Sequence, residues 1–141
     1  MNKFIVAALL VAIIAGCGIE WFPEDKVSSD PNKNVSFSVV NACTVAAGTT
    51  VNSQPIAVFG LVSSASISVS GDPSSAYSFD GSTFVKTDGT IKPGQNVTLQ
   101  HTTPASTTTG SGITMTTLTI AGKSATWKTS INACSQGTAN L

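Results

Sequence analysis

Val97-Thr98-Leu99-Gln100-His101 alternates with period two, which places Val97, Leu99 and His101 on one face of a strand and Thr98 and Gln100 on the other. Lys92-Pro93-Gly94-Gln95 before it reads as a turn with Pro at the second position. Residues 102–112 after it form a Ser/Thr/Gly loop. The same period continues outward on both sides. Upstream, Val35, Phe37 and Val39 alternate with Ser36 and Ser38, and Ile56-Ala57-Val58-Phe59 is stopped by Gly60. Ile67 and Val69 alternate with serines up to Gly71-Asp72-Pro73. Tyr77 and Phe79 flank Ser78, Asp80-Gly81 reads as a tight hairpin turn, and Phe84-Val85-Lys86 returns. Downstream, Ile113 and Met115 are in phase, whereas Leu118 and Ile120 have the opposite parity, so a bulge near Thr116-Thr117 is expected. Ala121-Gly122-Lys123 then turns into Ala125, Trp127, Thr129 and Ile131, alternating with Thr126, Lys128 and Ser130.

This pattern predicts an all-β sandwich of about seven to eight short antiparallel strands with turn signals every eight to twelve residues. No segment from residue 35 onward has the apolar period of an amphipathic helix. The expected core is Val35, Phe37, Val39, Ile56, Val58, Ile67, Val69, Tyr77, Phe79, Val97, Leu99, Leu118, Ile120, Trp127 and Ile131. A buried Trp127 needs a partner for its indole N–H. His101, on the core parity at a strand end, is expected to cap the rim of the sandwich.

The N-terminal part is different. Lys3 precedes an apolar run over residues 4–14, too short to span a bilayer as a helix and suited to a secretory signal. Ile14-Ala15-Gly16-Cys17 closes it. The arrangement resembles the lipobox of bacterial lipoproteins, with Ile14 where Leu is commoner. The resemblance implies a signal peptide at residues 1–16, lipidation of Cys17 and anchorage to the membrane through it. Three acyl chains would exceed the two signals that stable anchoring needs. Gly18, rather than Asp, after the cysteine implies delivery to the outer membrane in a host with two membranes. Residues 17–34 then read as anchor and tether, 35–134 as the β-sandwich and 135–141 as a tail. Trp21 and Phe22 are possible contact residues, with the headgroup region, the domain's lower edge or a partner as the three alternatives.

With Cys17 assigned to lipid, Cys43 and Cys134 remain as an even pair in an oxidising compartment, and a disulfide is expected between them. A metal pair would lack the further His and Cys ligands that zinc requires. The 141-residue chain has a formal net charge of +0 and only 10% charged residues, and every basic residue is Lys. These lysines are scattered, which excludes the clustered basic surface of a nucleic-acid binder.

Several short motifs between residues 51 and 130 resemble one repeat module of large bacterial surface and secreted proteins. They are Val51-Asn52-Ser53, Ile56-x-Val58, Ile67-Ser68-Val69-Ser70-Gly71, Tyr77-Ser78-Phe79-Asp80-Gly81, Gly89-Thr90-Ile91, Pro93-Gly94-Gln95-x-Val97, Leu118-Thr119-Ile120-Ala121-Gly122 and Trp127-Lys128-Thr129-Ser130. The resemblance implies an immunoglobulin-like β-sandwich used as a stalk or adhesive unit. Its motifs mark turns and core positions, not catalysis.

No catalytic constellation is expected. His101 is the lone histidine, without an adjacent nucleophile elbow or orienting acid. Asp72, Asp80 and Asp88 lie in turns, where a carboxylate usually bonds its own backbone; two such turns meeting at one end could instead hold calcium. No cofactor motif occurs. The expected function is a non-enzymatic envelope lipoprotein that binds protein or glycan through loops at residues 63–66, 74–77 and 103–112. The alternatives are a periplasm-facing accessory subunit and, least favoured, a small hydrolase using His101.

Overall fold

A computed structural model describes residues 30–106 and 112–133. Among these residues there is no helix, and nine strands form two sheets. The strands are β1 (Ala42–Cys43), β2 (Thr50–Asn52), β3 (Ile56–Ala57), β4 (Ala65–Gly71), β5 (Ala76–Ser78), β6 (Gly89–Ile91), β7 (Asn96–Thr102), β8 (Ile113–Ile120) and β9 (Lys123–Ser130). The first sheet has the order β1-β9-β8-β4-β6. In the second, β7 is the hub and pairs antiparallel with β2, β3 and β5.

The alternating residues of both sheets point inward to one core. Ile67, Leu118, Ile120 and Trp127 come from the first sheet, and Ile56, Tyr77, Val97 and Leu99 from the second. Each such aliphatic side chain contributes roughly 1.5–3 kcal/mol by leaving water. Leu61 and Ile91 join them although neither lies in a visibly alternating stretch. Gly71, at the end of β4, has a φ of 114° and lies where an added methyl would meet the Met115 carbonyl, so this corner accepts no side chain.

Five features differ from the sequence reading. The β8–β9 register is unbroken from Ile113 opposite Ser130 to Ile120 opposite Lys123, so there is no bulge. Thr114, Thr116, Leu118 and Ile120 form the inward row, and Ile113 and Met115 face outward, 45% and 49% exposed. Buried threonines are tolerated there because their hydroxyls find partners, and this hides the core parity from a hydrophobicity count.

Residues 35–39 form no strand. Ser36 makes one antiparallel bridge to Phe59 in the second sheet, after which the chain crosses and pairs as β1, parallel to β9, in the first. The sandwich is therefore not wholly antiparallel. Val35 is buried, while Phe37 and Val39 pack partly buried against the core during the crossing.

Phe79 is 37% exposed and not in the core. β5 ends at Ser78, and the Asp80 carboxylate accepts the N–H groups of Ser82 and Thr83, which turns the chain outward. Phe79 instead lies edge-on to Tyr77, with ring centroids 5.5 Å apart. Residues 84–86 retain only the bridge from Val85 to Tyr77, and the next strand is β6, just past the Asp88 turn. Ile131 lies just past β9 and is half-buried, its N–H donated to the Gly112 carbonyl.

Candidate functional site

The described chain enters at one end of the sandwich. Asn32 is pinned there by accepting the N–H groups of Val62 and Ser63 on Oδ1 and donating Nδ2 to the Ser63 hydroxyl. Ala121 is at the same end, donating its N–H to the Ser66 carbonyl. The β1–β2, β4–β5 and β7–β8 connections lie at the opposite end. Residues 63–66 and the described residues 103–106 of the third expected loop therefore sit at opposite ends and cannot form one contact surface. Residues 74–77 are not a free loop either: Ser75, Ala76 and Tyr77 are buried, the last two in β5.

The far end is built from short polar side chains bonding neighbouring backbone. Thr103 donates its N–H to the Thr49 carbonyl and its hydroxyl to the Ala46 carbonyl at 2.7 Å, and its oxygen accepts the Thr49 N–H at 3.0 Å. Gly48 donates its N–H to the Pro104 carbonyl. The Ser74 hydroxyl accepts the Thr102 N–H at 2.8 Å and is itself bonded to the Asp72 carboxylate. Burial acts to raise the Asp72 pKa. The hydrogen bonds from the Ser74 hydroxyl and N–H, with the nearby charges of His101 and Lys86, outweigh that and hold it below the usual 3.8. Asp72 is thus an ionised brace between two loops.

Beneath these loops lies a buried polar cluster joining the two sheets. His101 of β7 bonds Thr116 of β8 through Nδ1 at 2.8 Å and Thr129 of β9 through Nε2 at 2.7 Å. Thr116 continues to the Ser75 hydroxyl at 2.7 Å. The His101 ring stacks on Trp127, with centroids 4.2 Å apart and planes inclined by 23°. Both imidazole nitrogens are satisfied, and the ring is fully enclosed. Burial lowers its pKa, against a smaller opposing pull from Asp72, which favours the neutral ring. His101 is consequently a buried inter-sheet tie just beneath the rim of the sandwich. A ring held in this way has no face open to a substrate. Trp127 lacks the partner expected for it: its indole N–H is buried with no hydrogen bond.

Among the described residues, no group of three or more His, Cys, Asp or Glu could hold a metal ion. Asp72 and Asp80 are engaged in their own turns. The Ser78 hydroxyl, then the Thr83 and Ser82 N–H groups, hold Asp80 well below the usual carboxylate range. Asp88 lies near Tyr77, whose phenol is pushed up by burial and further by that negative charge. Cys43 ends β1 and is disulfide-bonded. Cys17, Trp21, Phe22 and Cys134 lie outside the described residues.

Comparison with protein-family models, curated proteins and solved structures gave no match. The site must therefore be read from its own chemistry. Sequence reasoning placed His101 and Thr129 on inward-facing rows but missed Ser75 and Thr116. Extending the parity of Leu118 and Ile120 backwards would have put Thr114 and Thr116 on the inner face.

Proposed function

We propose that this chain is a lipid-anchored envelope protein whose β domain has an immunoglobulin-like arrangement and acts by binding protein or glycan. One observation carries the reading. The chain enters the domain at the Asn32–Ser63 end, and the braced loops at residues 44–49, 72–75 and 103–106 lie at the opposite end. A tether ending at Asn32 would hold that loop face away from the membrane. The lipobox-like Ile14-Ala15-Gly16-Cys17 supports the anchor. The parallel β1–β9 pair, reached by a chain that switches sheets, supports the immunoglobulin-like arrangement. A departure from that arrangement is β6, which follows β5 yet returns to pair with β4.

Cys17→Ala, or globomycin treatment, is expected to leave an unprocessed or mislocalised precursor. Normal processing would remove the anchor from the proposal. Protease accessibility of the domain on intact cells, with lysed cells as control, then separates two orientations. Cleavage on intact cells means a surface-displayed binder. Protection until lysis means a periplasm-facing subunit, with Trp21 and Phe22 as the first residues to crosslink.

The proposed bridge from Cys43 to Cys134 is supported by the disulfide at Cys43 and by register. Cys43 lies opposite Ser130, and the Thr44 N–H reaches the Asn132 carbonyl, so the two chains run side by side towards residue 134. A loop of about ninety residues makes the bridge worth about 4–5 kcal/mol in the chain-entropy model. Cys43→Ser is expected to expose one reactive thiol at Cys134 and to lower the melting temperature by several degrees. Two reactive thiols in the native wild-type protein would exclude the bridge.

A further inference from the structure

β9 has partners of unequal length on its two sides. Its eight residues pair along their whole length with β8, whereas β1 covers only Thr129 and Ser130 on the other side. Two bonds show which groups face the β1 side: the Lys128 N–H donates to Asn41 Oδ1 at 2.8 Å, and the Ser130 carbonyl accepts the Val45 N–H. Backbone groups alternate sides along a strand, so the N–H and C=O of Ser124 and Thr126 face the same way. Among the described residues, no strand pairs with them. A row of such groups is satisfied best by another extended backbone.

We infer that the open edge of β9, from Ser124 to Thr126, is a docking site for an extended, acidic segment of a partner protein, which adds as a further strand. The inference rests on the binding function proposed above and names the partner's chemistry. Lys123 and Lys128 bracket the edge, both exposed, and neither forms an ion pair with a described acid. A carboxylate near either end of the incoming strand complements them. Beyond Lys128 lies an apolar depression lined by Asn41, Ala42, Ile113, Lys128, Thr129 and Ser130, which suits an aliphatic side chain at that end. A second copy of β9 fits less well. Antiparallel self-pairing centred on Thr126 would bring the second copy's Ser124 against Lys128, whose N–H Asn41 already holds, and would drive its Lys123 towards β1.

The test is selection of a displayed random twelve-residue peptide library on the purified domain, followed by amide exchange of each selected complex. Enriched peptides are expected to be β-branched and acidic, and to slow exchange at Ser124 and Thr126. Thr126→Pro removes the N–H on the open side together with the side-chain hydroxyl, and is expected to weaken binding at least tenfold. Thr126→Val, which removes the hydroxyl bonded to Thr117 but keeps the N–H, is expected to leave it within twofold. Peptides insensitive to Thr126→Pro and protecting other amides would overturn the edge while leaving the binding function standing. An absence of any enriched peptide would overturn the edge as well. So would slow exchange at both amides in the free monomer, because the chain itself would then cover the edge, or a dimer abolished by Thr126→Pro, because the occupant would be a second copy.

Discussion

Trp127→Ala is expected to destabilise the domain by about 3–5 kcal/mol, the largest loss from any single side chain here. Trp127 is the largest fully buried side chain, projecting from β9 between the sheets and stacking on His101. Truncation opens a cavity that neighbours from two paired sheets cannot fill without breaking register. It also removes the flat surface that orients the imidazole. The orphan indole N–H makes Trp127→Phe informative. That change loses volume but relieves a buried unsatisfied donor, whose cost is about 1–3 kcal/mol. Chemical denaturation should therefore place Trp127→Phe well nearer wild type than Trp127→Ala. Equal losses would mean that the smaller ring recovers none of the lost packing.

The second large effect is at His101. His101→Ala is expected to cost about 3 kcal/mol, from the lost packing and from leaving the Thr116 and Thr129 hydroxyls without their ring partners. It should also change how stability depends on pH. Burial holds the folded imidazole below its ordinary value of 6.5, so the unfolded chain takes up the proton first as pH falls. The stability due to the neutral ring is fully present above about 6.5, and it declines as pH drops towards and through the folded value. Asp72, whose pKa is also lowered, is ionised throughout the range from pH 8 to 5, so it does not contribute to the slope in that window. Melting curves across it should slope for wild type and flatten for His101→Ala. Parallel slopes would place the titrating group elsewhere.

Much of the strand plan was legible because a half-buried strand must alternate, and β4, β7 and β9 do so openly. Where the apparent phase broke, in β8, the reading required a bulge that does not exist. Thr114 and Thr116 sit inward as firmly as Leu118, but a hydroxyl satisfied across the core looks the same in sequence as one facing water. Residues 35–39 alternate as cleanly as any strand, yet they cross between sheets, because the pattern records burial and not pairing. Phe79 continued the phase of Tyr77 until the Asp80 turn ended the sheet beneath it.

Sequence alone determined the all-β class, most of the aliphatic core, the inward face of His101 and the local character of the aspartate turns. Each follows from residue periodicity or from contacts within a few residues. Only the tertiary structure decided the partners of His101, the parallel β1–β9 pair and the bare stretch of β9. These depend on which distant segments meet: Thr116 and Thr129 reach the imidazole from two strands of the opposite sheet, and β1 stops after two residues where the crossing chain arrives. Long-range meetings of this kind are set by the packing of whole sheets, and no local pattern encodes them.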